Sequence, residues 1–267
     1  MGKILPQLIF VHGLGGHRET SWTHKPSNVF WPKDLLSSEV PASRILSFGY
    51  DSGRGDSNAP ASQSRIRNHA EDLVNDLNQK RELSQTTTRP IIFVAHSLGG
   101  LVVQDAIIQA KASADTDIRR IYEFSVAIAF IGTPHFGSEL AKWETLRRDF
   151  RNILHSSNSE IVAVLMPDSE VLARIQADFH ADLRDQNRSN RRQLEVFCFF
   201  EELGYGKLGL LQIKGYQQKP RGDDEIQTPN RCRLQIYLQP ATDMGHENSG
   251  DKRAAAADTI TDPFKIT

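Results

Sequence analysis

Cysteine is scarce. Cys198 and Cys232 are the only two in 267 residues. Two thiols cannot build a disulfide framework, so the fold must rest on a buried core, and a reducing compartment is the simpler expectation. Long apolar runs are missing too. The longest, 126–131 (VAIAFI), is far too short to cross a bilayer. No basic segment followed by a long apolar one opens the sequence, so no secretory signal is expected. Charge of one sign is also lacking. The formal net charge of -1 gives no electrostatic reason to expect nucleic acid as a ligand. The histidines are scattered, and no spaced His/Cys/Asp set of the zinc type occurs. No dinucleotide fingerprint follows a strand, and there is no internal repeat. Neither a metal nor another cofactor is therefore expected.

What is present suits a large α/β domain. The length is right for one such core. The apolar fraction of 39% fits a globular body with polar ends. Short apolar runs at 7–11 (QLIFV), 44–50 (RILSFGY), 91–95 (IIFVA), 124–131 (FSVAIAFI) and 194–200 (LEVFCFF) read as strands. Ile66, Ala70, Leu73 and Leu77 recur at helical spacing and predict an amphipathic helix ending near Leu83. A buried helix is expected from Leu101 to Ala110. Further helical patterns lie at 139–150 and, either side of Pro167, at 161–183. Strands alternating with helices predict a mostly parallel sheet covered by helices on both faces. The polar stretches 50–64 and 184–193 read as loops. From Gly204 onward the pattern weakens.

The chemistry centres on Ala95-His96-Ser97-Leu98-Gly99-Gly100, with a strand running in and a helix running out. That context makes it a nucleophile elbow: a tight, strained turn flanked by small residues that lifts a serine hydroxyl off the sheet's carboxyl end. Ala95 replaces the more usual first glycine. The helix that follows aims backbone N–H groups and its positive dipole end at the site. A second signal, His12-Gly13-Leu14-Gly15-Gly16, follows the first strand. Acyl transfer needs two preorganised donors for its oxyanion, and in such a fold the N–H groups of Leu98 and Leu14 are the candidates. Gly13 and Gly99 support that geometry, and His12 is expected to orient the loop rather than act as a base. A phosphate-binding loop is disfavoured, because no Lys-Ser/Thr follows the glycines.

The ordered segments 12–16 (HGLGG), 31–36 (WPKDLL), 44–51 (RILSFGYD), 95–100 (AHSLGG) and 132–138 (GTPHFGS) resemble those of the serine esterase and lipase family of α/β-hydrolases. The resemblance spans roughly residues 5–202 and runs to the branch related to the serine active-site-containing protein, common in fungi. It implies an α/β-hydrolase fold and activity on lipid-like esters. It also implies a cytoplasmic place or a peripheral one on mitochondrial or endoplasmic-reticulum membranes. Similar domains recur as modules of fungal signalling receptors.

The resemblance also places a carboxylate after the fifth strand, which makes Glu201 the expected triad acid. Glu202 would point the other way by strand alternation. The family histidine should fall where this chain has Ala241, inside 237–246 (YLQPATDMGH). His246 is the only histidine after Glu201. Either it serves as the base through a shifted loop, or it is a surface histidine and the triad is incomplete. His135, His155 and His180 are fallback bases whose chain positions suit other roles better. Two functions stay open: a serine hydrolase acting through Ser97, Glu201 and His246, or a catalytically degenerate module that binds lipid or a protein. The expected division is a hydrolase domain over 1–248 and a peripheral tail over 249–267. A helical cap at 138–184 would either line an acyl pocket or simply pack. Oligomeric state is not legible.

Overall fold

The computed structural model describes residues 6–52, 63–133, 169–188, 193–201, 212–218, 232–235 and 264–266. In chain order, strand β1 (Gln7–Val11) leads to a 3-10 turn at Thr20–Trp22. A small ribbon follows, of β2 (Thr23–His24) and β3 (Val29–Phe30), then two short helices, α1 (Trp31–Asp34) and α2 (Leu36–Glu39). Next come β4 (Arg44–Phe48), α3 (Gln63–Leu83), β5 (Ile91–His96), α4 (Leu98–Ala112), α5 (Thr116–Phe124) and β6 (Ser125–Ile131). The remaining described elements are α6 (Glu170–Arg188), β7 (Glu195–Glu201), β8 (Gln212–Gln218), β9 (Cys232–Gln235) and β10 (Phe264–Ile266).

All described strands but those of the ribbon join one sheet, in the order β10-β4-β1-β5-β6-β7-β8-β9. The run from β4 to β7 is parallel. Strands β8 and β9 extend one side antiparallel, and β10 closes the other against β4. Every residue of β1 is buried, as a central parallel strand requires. Its side chains alternate between two cores. Ile9 and Val11 face the larger one, with Leu46, Phe93, Ala95 and Phe130, under α3, α4, α5 and α6. Leu8 and Phe10 face the smaller, with Trp22, Val94 and Ile131, where Trp31 of α1 and Leu36 of α2 pack. Both faces are thus covered, one by long helices and the other by the folded connection between β1 and β4.

Helix α3 buries Ile66, Ala70, Leu73 and Leu77, the expected stripe, together with Val74. Helix α5 was not expected. It starts at Asp115, whose carboxylate accepts from the N–H groups of Asp117 and Ile118 at 2.8 and 3.3 Å. The expected helix at 139–150 and most of the expected cap lie outside the described residues. Helix α6 covers the end of that stretch and packs on α4.

Candidate active site

The strand order places the site. From β1 the chain passes to β4 on one side, then crosses to β5 on the other. The connections leave β1 and β5 on opposite faces, which makes their carboxyl ends the switch point at which open α/β sheets bind ligands. Val11 pairs in register with Ala95. The two glycine-containing turns picked out in the sequence therefore leave the sheet side by side.

Ser97 occupies the turn between β5 and α4 with φ 52° and ψ -123°. A side chain at positive φ is strained. The strain is held from several directions. The Ser97 N–H donates to the Ile131 carbonyl at the end of β6 (2.9 Å), and the Gly100 N–H donates back to the Ser97 carbonyl (3.0 Å). Gly99 is forced by packing: a Cβ there would stand 2.5 Å from the Val11 carbonyl oxygen and closer still to that of His12. Ser97 is the N-cap residue of α4, yet its hydroxyl caps no helix N–H. Ser97 is itself mostly buried.

The loop after β1 lies against the elbow. A Cβ on Gly13 would be 2.8 Å from Ser97 Cβ and 3.0 Å from His96 Nδ1. Leu14 anchors the loop by burying its side chain in the larger core. Among the described residues, neither the Leu14 nor the Leu98 N–H donates to a backbone carbonyl. For Leu98 this follows from its place at the first turn of a helix.

His12 is wholly buried, and burial pushes its pKa down to about 4. Its Nδ1 lies 3.0 Å from the Gly13 carbonyl oxygen, and Nε2 accepts from the Tyr50 N–H at 3.4 Å. A carbonyl only accepts and an N–H only donates, so one neutral tautomer satisfies both. The Tyr50 hydroxyl donates to the His12 carbonyl (2.7 Å), and the two rings stack at 4.4 Å. Both ring nitrogens of His12 are thus engaged, one within its own loop and one with the segment after β4. His96 points toward Trp22, edge-on at 6.4 Å, and desolvation holds its pKa down at about 4.

Of the expected triad, Ser97 stands at the turn between β5 and α4, and Glu201 is the last residue of β7, opposite Ile213 of β8. The side chain of Glu201, and all of His246, His135 and His155, lie outside the described residues. His180 sits on α6 beside Phe179, with its pKa lowered by burial, and makes no hydrogen bond to Ser97. No group of three possible metal ligands occurs among the described residues. Tyr50 and Ser52 carry more of the site than the sequence reading assigned to them. Tyr50 was legible only as the end of an apolar run and as part of a segment of the family resemblance, with no role assigned to it.

Residues 8–212 match the alpha/beta hydrolase family. The chain belongs to that family. Within it, the chain is similar to Protein SERAC1 of Bos taurus, 30% identical over 217 residues, which is 75% of this chain and 31% of that protein. Protein SERAC1 of Homo sapiens is 28% identical over 217 residues, with the same coverage of 75% and 31%. The chain thus spans about a third of the length of these relatives. Among solved structures it is similar to the mature form of Bacillus licheniformis lipase BlEst2. The TM-score is 0.41 at 22% identity, covering 74% of this chain and 66% of the lipase. No described helix is long and apolar enough to cross a membrane.

Proposed function

We propose that this protein is a serine hydrolase that cleaves carboxylic esters, lipid-like ones in particular, through an acyl-enzyme on Ser97. The observation that carries the reading is the strained Ser97 at the carboxyl end of β5, its hydroxyl unused by the helix it caps and Gly13 pressed against it. Strain of this kind persists where the surrounding structure enforces it, and it clusters at reacting centres.

In this reading Ser97 Oγ attacks the ester carbonyl carbon as His246 takes its proton, and Glu201 orients the imidazole. The oxyanion accepts hydrogen bonds from the Leu14 and Leu98 N–H groups, helped by the positive end of α4. The alkoxide leaves with the proton from His246. Water then attacks the acyl-enzyme, giving its proton to His246, and the carboxylic acid departs as Ser97 regains its own. No cofactor takes part. Substrates would be met in the cytoplasm or at the surface of mitochondrial or endoplasmic-reticulum membranes.

The test is labelling by a fluorophosphonate probe of wild type, Ser97→Ala and His246→Ala. Labelling lost in both variants supports the full reading. Labelling that survives His246→Ala moves the base to another histidine. A folded wild type that neither labels nor cleaves esters, thioesters or amides would leave the second reading, a degenerate module that binds lipid or protein. That reading is favoured by Ala241, which stands where the resemblance implies a histidine.

A further inference from the structure

The loop that carries Leu14 does not hold itself in place. Gly16 N–H to the Gly13 carbonyl (3.1 Å) is its one internal backbone bond. What grips it is the segment after β4, Gly49 to Ser52. The Tyr50 N–H reaches His12 Nε2 and the Tyr50 hydroxyl reaches the His12 carbonyl. One step along, the Gly15 N–H donates to the Ser52 carbonyl (3.2 Å), and Ser52 Oγ donates to the Gly16 carbonyl (3.4 Å). Tyr50 is itself wedged between rings: His12 at 4.4 Å, His69 of α3 at 4.7 Å and Phe48 at 5.8 Å. Burial pushes its phenol pKa up, so the hydroxyl stays a donor at any working pH.

The His12 carbonyl is the pivot. It belongs to the peptide that joins His12 to Gly13, and the residue after Gly13 supplies the proposed oxyanion donor. The Tyr50 hydroxyl holds the carbonyl on one side, and Gly99, the second residue of α4, leaves room for it on another. Turning that peptide would move the Gly13–Leu14 amide relative to Ser97. We infer that Tyr50 is a positioning residue, whose hydroxyl sets the loop so that the Leu14 N–H meets the oxyanion formed at Ser97. The inference rests on the serine-hydrolase reading above and adds how its second donor is aimed.

The experiment compares wild type, Tyr50→Phe and Tyr122→Phe on a short-chain nitrophenyl ester, with thermal unfolding and amide hydrogen exchange over residues 12–16. Tyr50→Phe keeps the ring stack and removes only the hydroxyl. A misaimed donor weakens the transition state more than the bound ester, so kcat should fall about 10- to 100-fold with KM within about twofold. Exchange over 12–16 should quicken while α4 stays protected. Tyr122→Phe likewise removes one phenol hydroxyl, the donor to Asp182 of α6 at 2.8 Å, and leaves the loop and its ring stack untouched. It should lower the melting temperature and leave kcat within about twofold. Equal kcat for Tyr50→Phe and wild type, or equal losses in both variants, overturns the inference and leaves the serine-hydrolase reading standing. A wild type that fails to label or turn over defeats that reading, and the positioning role falls with it.

Discussion

Gly13 and Ser97 sit so close that a single methyl group on the glycine would stand 2.8 Å from the serine's own Cβ. The contact is between backbone-borne atoms of two turns, each fixed by its strand, so neither can swing away. We predict that Gly13→Ala lowers ester turnover at least about 100-fold by pushing the loop off Ser97, the proposed nucleophile. The overpacking should cost about 1–3 kcal/mol of stability. Steady-state kinetics and urea unfolding check this. An alanine variant with near wild-type turnover would show that the loop plays no part in the chemistry.

Ser97 pays for its position in backbone strain. At φ 52° a glycine would be relaxed where serine is not. Ser97→Gly should therefore abolish activity yet stabilise the fold, by about 1 kcal/mol net of glycine's extra chain entropy. That corresponds to a rise of roughly 2–4 °C in melting temperature. A drop on calorimetry would mean the turn is not strained in solution.

Acid should weaken the fold through desolvated imidazoles. His12 and His96 keep folded-state pKa values of about 4 against an ordinary 6.5. Between those values the unfolded chain binds protons that the folded one refuses. Their contribution is thus complete above pH 6.5 and drains away as pH falls toward 4. For His12 the loss is on the order of 3 kcal/mol, and His96 acts in the same direction. Urea midpoints from pH 7.5 to 4 would show the slope, and His12→Gln should flatten it. An unchanged slope in that variant would contradict the assignment.

A polar knot far from Ser97 should matter for stability alone. Asp182 of α6 accepts from Tyr122 of α5 (2.8 Å) and from Gln186 (2.9 Å), and pairs with Lys111 of α4 at 2.6 Å. Gln186 in turn accepts from the Leu194 N–H at the entry to β7 (2.9 Å). Asp182 is nearly buried, whereas Lys111 is 42% exposed. Asp182→Ala strands buried donors and should cost about 2–3 kcal/mol, while Lys111→Ala should cost less than about 1. Equal costs in chemical unfolding would place the energy in the ion pair instead.

Cys198 should be a poor thiol. It lies on β7 with its pKa pushed up to about 11 by burial, so little thiolate exists at neutral pH. Iodoacetamide should modify it in the native state far more slowly than in urea, as peptide mass spectrometry would show. Equal rates would mean that the sheet around β7 opens readily.

Much of the core was legible because its strands are buried on both faces. QLIFV, IIFVA and the run to Ile131 are continuous apolar stretches bounded by glycine or proline, and they became β1, β5 and β6 with little change. The stripe on α3 was equally plain. Helix α5 escaped, although Asp115 and the spacing of Ile118, Ile121 and Tyr122 announce it in hindsight. Strand β8 (QIKGYQQ) carries almost no apolar signal, and its strand form is set by pairing with β7.

The sequence by itself determined the elbow. Serine between small residues, after an apolar strand and before a helix, has few other uses, and the local chain geometry follows from those residues. Which turns meet was decided only by the tertiary fold. The order β4-β1-β5 brings Gly13 to Ser97 and Tyr50 to His12 across gaps of 84 and 38 positions, pairings that no local pattern encodes. Hydrogen bonds and ring stacks of that kind depend on where a strand falls in the sheet, and strand order is fixed by burying both faces of β1 at once.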